Sequence, residues 1–415
     1  MPREAAFVAG QAPILSGAPF PRGATAVAYQ GGVLVLYAAM LTGVGAVMVY
    51  SASSVTAQSA ARLGHDAAYF FKRQVLFAAV GASAALVLAR IDYDVYRRRI
   101  WPIMGATLAL LVLVFVPGIR HAANGASRWL NLRVATFQPS ELAKFVLVAY
   151  AAHAIDRRGE NPRGGWKAFV PMLAVMAGYV LLILKEPDFG MAVVIGASFV
   201  ALLFIAGLPW RLLAGLAGAG ALGVVALIWS APYRLARLKA FLDPFSQAQA
   251  AGYQVVQSLI AFSNGGLLGT GIGAGKQKLF YLPEMHTDYI FSVIGEELGF
   301  AGVVAVGACF ITLVWVGFRI AHRARDPFGK YLAMGLSVVV GVQALANMMV
   351  GLKMLPPKGM VLPFLSYGGS SLVLHLAAVG VLVNISMKGA DALVSEPDDR
   401  GRRNRRPRVS GDRDC

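Results

Sequence analysis

The sequence predicts an all-α polytopic membrane protein, with about ten transmembrane helices and a large extracytoplasmic segment between helices seven and eight. Three observations carry this prediction. Of 415 residues, 57% are hydrophobic and only 14% are charged. Mean hydropathy is +0.61, well above that of an ordinary soluble domain. Apolar runs of the roughly 20 residues that a spanning helix needs recur along nearly the whole chain.

Taken in order, the expected spans fall near 30–50, 74–89, 100–118, 140–156, 168–185, 187–206, 212–230, 289–318, 331–352 and 361–386. Three divisions follow: a cytoplasmic N-terminal tail over 1–28, a transmembrane domain over 29–388, and a basic disordered cytoplasmic tail over 389–415. The first segment is polar, carries Pro13, Pro19 and Pro21, and lacks a cleavable signal architecture. The first span is therefore read as the insertion signal, and it stays. Orientation follows from basic residues. Arg90 and Arg97–Arg99 follow span two, Arg157, Arg158, Arg163 and Lys167 follow span four, and Arg319, Arg323, Arg325 and Lys330 follow span eight. The positive-inside rule puts these, and both termini, in the cytoplasm.

The formal charge of +17 is then largely cytoplasmic flank and tail, drawn toward anionic lipid. No compact soluble domain exists to present a basic face to nucleic acid. A second basic set falls on the outer side: Arg120, Arg128, Arg133, Arg234, Arg237, Lys239, Lys276, Lys278, Lys353 and Lys358. Short outer loops normally avoid such residues, so the surplus points to an anionic ligand. Cys309 lies inside a span and Cys415 ends the tail, so no disulfide is expected. The histidines show no metal-ligand spacing, and no metal site is assigned.

The longest non-spanning piece covers 231–287, too long to be structureless without function. Tyr253–Phe262 has helical apolar spacing and reads as an amphipathic interfacial helix ended at Gly265-Gly266. The glycine-rich stretch Gly269–Lys278 is no P-loop. Thr270 stands where the first glycine is needed, and Gln277 where Ser or Thr is needed. It is left as either a hinge or a backbone cradle for pyrophosphate.

Polar residues cluster within the spans. Glu141 and Lys144, three apart on one helix, can pair. Lys185-Glu186-Pro187-Asp188 breaks the chain between spans five and six, and Gln343 and Asn347 share one face of span nine. The most telling stretch is Tyr281–Phe300, where a polar loop holding Glu284, His286, Thr287 and Asp288 enters an apolar helix that still carries Glu296 and Glu297. Charges there cost roughly 2.5–3.5 kcal/mol each at mid-helix, so they usually serve function. Asp288 reads either as a helix cap, with Thr287 as the other candidate, or as a reactive carboxylate.

The motifs, in order, resemble the SEDS (shape, elongation, division, sporulation) family of polytopic peptidoglycan glycosyltransferases. They are Met48–Ser54, Lys72-Arg73-Gln74, Asn124–Trp129, Gln138–Lys144, Glu186–Gly190, Leu282–Asp288, Gly295–Gly299, and Met354–Gly359 leading into Ser366–Ser371. The division branch looks closer than the elongation or sporulation branches, although Pro357 stands where that branch often has Thr. The resemblance implies polymerisation of lipid II into β-1,4 glycan strands at the outer leaflet, with inversion at the anomeric carbon. It implies Asp288 as catalytic base. Arg128, Trp129, Lys276, Lys278, Glu284, His286, Thr287, Lys358, Ser366 and Ser370 are implied as substrate-binding, and Glu141, Lys144, Asp188, Glu296 and Glu297 as shaping the cavity. No tightly bound cofactor is expected, a divalent cation (Mg2+ or Mn2+) being a candidate helper. The implied partners are a class B penicillin-binding transpeptidase and other division membrane proteins, at the septum of the bacterial cytoplasmic membrane. Two other readings stay open: a flippase for lipid-linked precursors, and a non-catalytic scaffold for the transpeptidase.

Overall fold

The computed structural model describes residues 22–117, 120–123, 126–131, 136–158, 165–229, 232–246, 252–278 and 282–395. Arg133, Tyr281 and the arginine-rich tail with Cys415 lie outside them. Fourteen α-helices, two short 3-10 helices (Ala61–Leu63 and Gly165–Phe169) and one small sheet are the regular elements of the described residues. The first half runs α1 (Arg22–Ser59), α2 (Tyr69–Arg90), α3 (Asp94–Arg98), α4 (Ile100–Leu113), α5 (Pro139–Arg158), α6 (Val170–Lys185) and α7 (Phe189–Ile205). The second runs α8 (Trp210–Trp229), α9 (Pro232–Leu242), α10 (Tyr253–Gly265), α11 (Ile290–Glu297), α12 (Gly299–His322), α13 (Pro327–Gly351) and α14 (Gly369–Ser395).

Among the described residues, six helical segments are long and apolar enough to cross a membrane: Tyr29–Ser59, Tyr69–Arg90, Lys167–Lys185, Gly299–His322, Pro327–Gly351 and Gly369–Ala392. The molecule is a multi-pass membrane protein. Helices α4, α7 and α8 stand at expected span positions but are shorter apolar pieces. Helix α5 also stands at one, yet Glu141, Lys144 and Asp156 break its apolar run; most of it is buried in the bundle. Leu36, Leu76, Leu181, Leu222, Ile311 and Trp315 are exposed, a distribution that suits hydrocarbon rather than water.

Local signals set the helix ends. Asp188 caps α7 by accepting from the Met191 amide (3.3 Å), and Asp326 caps α13 by accepting from the Gly329 amide (2.6 Å), with Pro327 at the first helical position. The core runs through α1, α5, α7, α13 and α14, with Leu34, Leu41, Met48, Phe199, Leu202, Leu336 and Ile385 in one continuous cluster.

Several expectations need correction. The expected span 289–318 is two helices: the chain breaks at Gly299, whose φ of +66° a side-chain-bearing residue seldom adopts. Helix α1 starts at Arg22 and α14 runs to Ser395, so helix reaches into both expected tails, while the apolar span of α1 starts at Tyr29. The tenth span begins at Gly369 rather than at 361, because 361–368 forms a turn. Helix α9 and the sheet were not foreseen. The sheet is antiparallel, in order β1 (Arg120–Ala123), β2 (Ala126–Asn131), β3 (Thr136–Phe137), with Leu130 opposite both Arg120 and Phe137. Its strands are too short and too polar to show periodicity.

Candidate active site

The loop before α11 is a tight turn built on one carbonyl. Glu284 holds φ +52°, and its oxygen accepts the amides of Thr287 (3.3 Å), Asp288 (3.0 Å) and Tyr289 (3.4 Å). Strain of this kind costs about 1–3 kcal/mol and persists only where the surroundings enforce it. Buried Leu282, Met285 and Tyr289 anchor the turn. The Tyr367 amide donates to the His286 carbonyl (2.8 Å), and Asn347 Nδ2 donates to the carbonyls of Asp288 (3.0 Å) and Met360 (2.5 Å). The segment before α14, the end of α13 and this turn are thereby fixed as one unit.

Asp288 does not cap α11. The residue at that position is Tyr289, which makes no side-chain cap bond, and the Thr287 hydroxyl turns back to the Glu284 carbonyl (3.1 Å) and carboxylate (3.2 Å). Among the described residues no donor is hydrogen-bonded to the Asp288 carboxylate. Gly359 lies against it so closely that a Cβ there would stand 2.9 Å from Oδ2. The residue keeps a partly exposed surface, yet burial of the carboxyl pushes its pKa up to about 7 from 3.8. Glu284 and Asp188 add to the rise, while Arg128 and Arg237 oppose it. A carboxylate poised near neutrality, without a fixed donor, suits a general base.

The α6–α7 break supplies the neighbouring cations with their footing. Buried Asp188 accepts from Gln138 Nε2 (2.8 Å) and faces Arg128 at 3.8 Å. Arg128, on β2, also donates to the Pro187 carbonyl (2.6 Å). Lys358 sits 4.0 Å above the Phe189 ring, at the first position of α7. Two cations thus stand on one corner, and one of them acts electrostatically on Asp288. Glu186 is almost fully buried, neither carboxyl oxygen has a hydrogen-bond partner among the described residues, and burial pushes its pKa up to about 8.

Other expected residues serve the scaffold. Glu141 pairs with Lys144, whose ammonium also donates to Gln343 Oε1, so the pair is locked inside the bundle. Glu297 accepts from Ser51 Oγ (2.6 and 2.8 Å), and Glu296 accepts the amides of Lys276 (2.9 Å) and Gln277 (3.3 Å). The glycine-rich loop thus spends these amides on the Glu296 carboxylate, and those of Thr270 and Gly271 on the Glu296 and Glu297 carbonyls (both 3.0 Å). Lys278 pairs with Glu297 at 3.8 Å, one length of α11 (roughly 12 Å) from Asp288. Lys278 is thus tied to this scaffold, while Lys276 joins it through its amide and keeps an exposed side chain. Ser366 Oγ accepts the Leu362 amide (2.8 Å), and Ser370 Oγ accepts the Gln138 amide (3.3 Å) and donates to the Thr136 carbonyl (3.1 Å), so both buried hydroxyls have partners in the scaffold. Trp129 is half-buried on β2, opposite His121. The roles of Gly359, Asn347 and Glu186 escaped the sequence reading. The sequence showed Glu186 in a polar break and Asn347 on one face with Gln343, and for Gly359 a glycine directly after Lys358 in a proline-rich turn, but not what each one touches.

Among the described residues no group of three or more His, Cys, Asp or Glu could hold a metal ion.

Comparison with known proteins agrees with this architecture. The probable peptidoglycan glycosyltransferase FtsW of Trichlorobacter lovleyi is 48% identical over 354 residues, covering 85% of this chain and 92% of that protein. Stage V sporulation protein E of Bacillus subtilis is 38% identical, covering 85% and 96%. Among solved structures, a chain of a peptidoglycan synthase complex that coordinates polymerization and crosslinking matches with TM-score 0.70 and 29% identity, over 86% of this chain and 97% of that one. The rod shape determining protein RodA of Thermus thermophilus matches with TM-score 0.62 and 28% identity, over 85% and 95%. The model of a cell cycle protein family that takes in FtsW, RodA and SpoVE matches residues 32–390, and the chain belongs to that family.

Proposed function

We propose that this chain is a peptidoglycan glycosyltransferase that polymerises lipid II into β-1,4 glycan strands at the outer leaflet, in septal wall synthesis. Asp288 carries the reading: it is a carboxylate in a strained turn with no assigned donor among the described residues, a pKa near neutrality and arginine charges acting on it, and it lies in the motif that the family resemblance singles out. The 4-hydroxyl of the acceptor sugar attacks the anomeric carbon of the donor and inverts it. The C–O bond to undecaprenyl pyrophosphate breaks, and the hydroxyl proton passes to Asp288. Arg128 and Lys358 neutralise the pyrophosphate as its charge grows. A divalent cation, Mg2+ or Mn2+, would add to the charge that neutralises the leaving pyrophosphate.

The finer assignments belong to the same proposal: both termini cytoplasmic, a location at the septum, and a class B penicillin-binding transpeptidase as partner. What supports the partner is that a structural neighbour comes from a synthase complex joining polymerization to crosslinking. Against a flippase stands the intramembrane polar group Lys144–Glu141–Gln343, which is spent on itself rather than lining a path. The test incubates purified protein, with its transpeptidase, with lipid II in detergent, and separately in vesicles carrying labelled lipid II. Glycan polymer is expected. Scrambling between leaflets without polymer would sink the enzyme reading.

A further inference from the structure

Beside the catalytic turn lies an aromatic group that the mechanism above does not use. Phe70, near the start of α2, contacts the His286 ring at 4.6 Å between centroids and the Tyr367 ring at 5.1 Å, edge to face. His286 and Tyr367 are themselves 5.8 Å apart and are tied by the hydrogen bond from the Tyr367 amide. Tyr69 extends the group edge to face with Phe70 at 5.3 Å, and Arg73 donates to the Tyr69 hydroxyl at 2.7 Å. His286 stands two residues before Asp288 on the same rigid turn.

Three features separate this group from ordinary packing. All five side chains are only partly buried, unlike the core aromatics Phe199, Phe291 and Phe328. The group gathers π-faces, a hydroxyl, an imidazole and a guanidinium at one place, which is the set that recognises a pyranose. The apolar C–H face of the sugar stacks on the rings while hydroxyl and acetamido groups meet the polar atoms. Its charge also acts apart from the pyrophosphate corner: the Arg73 charge bears on Tyr367, whereas Arg128 and Arg237 bear on Asp288.

We infer that Tyr69, Phe70, Arg73 and Tyr367, with His286, form a saccharide subsite that holds the acceptor pyranose so that its hydroxyl meets Asp288. The inference rests on the glycosyltransferase reading and assigns that site a second flank, aromatic for sugar where the first is cationic for pyrophosphate. The subsite governs sugar affinity and leaves recognition of the lipid pyrophosphate alone.

The test measures binding in detergent to the full chain carrying Asp288→Asn, so that nothing turns over. Two probes are compared: a short-chain lipid II, and the same isoprenyl pyrophosphate without sugar. Adding Phe70→Leu, which keeps bulk but loses the π-face, should weaken binding of the sugar-bearing probe about tenfold, as expected for one lost aromatic contact, with the sugarless probe unchanged. Phe70→Tyr should restore the sugar-bearing affinity, which shows that the fold is intact. In the otherwise wild-type enzyme, Phe70→Leu should raise KM for lipid II with little change in kcat. Equal weakening of both probes, or of neither, would overturn the subsite. Absence of polymer from the wild type would instead count against the glycosyltransferase reading, since the binding comparison needs no turnover.

Discussion

The pH dependence of polymerisation tests the electrostatics of Asp288 in detail. Burial, reinforced by Glu284, sets its carboxyl at about 7 where an ordinary aspartate stands at 3.8. If the base must be ionised, kcat/KM follows the ionised fraction of the free enzyme, which is about 0.1 at pH 6, about 0.5 at pH 7 and about 0.9 at pH 8. The rate should therefore climb about tenfold across that interval and then level off. Glu284→Gln removes a negative neighbour and should move the rising limb to lower pH, while Arg237→Gln removes a positive one and should move it higher. The assay is initial polymerisation rate at limiting lipid II, with substrate integrity checked at each pH. A profile flat from pH 5.5 to 8, or a limb that ignores both substitutions, would refute the reasoning.

Three further outcomes follow from the packing. Gly359→Ala puts a methyl 2.9 Å from Asp288 Oδ2, about 0.5 Å inside ordinary contact, and displacing the base by that much should cost roughly tenfold in kcat with little change in melting temperature; an unchanged kcat would show that the carboxylate acts elsewhere. Lys144→Met strands the buried Glu141 charge and should lower stability by about 3–5 kcal/mol, whereas the paired change Glu141→Gln with Lys144→Met should recover most of it, read as melting temperature in detergent; no recovery would mean that the pair is not a closed unit. Glu186 has its pKa raised from 4.5 to about 8, so the folded state holds a proton that the unfolded chain releases, and stability falls as pH rises through that window. Glu186→Gln should flatten that fall between pH 5.5 and 8.5, and a parallel fall in both proteins would contradict it.

The sequence disclosed the architecture wherever hydrophobicity alone decides it. The apolar runs located the long helices, and the polar breaks at Glu186–Asp188 and Glu284–Asp288 marked where they meet. Spacing revealed the Glu141–Lys144 pair, because i,i+3 neighbours on a helix must lie together. Contacts made across long sequence separations stayed hidden. Nothing local says that Gly359 presses on Asp288, that Arg128 rests on Pro187 and Asp188, or that Ser51 binds Glu297. The lysines of the glycine-rich loop misled for the same reason. Their basic charge suggested an anionic ligand, but the anion beside Lys278 is Glu297 of the same chain, and Lys276 meets Glu296 through its backbone amide.

Replacing Asp288 by asparagine, at saturating lipid II and with substrate binding followed in parallel, bears most directly on the whole account. Loss of a general base should lower the polymerisation rate by about 10²–10⁴-fold while lipid II affinity stays within about twofold. Glycan strands made at the wild-type rate by that variant would show that the proton goes elsewhere.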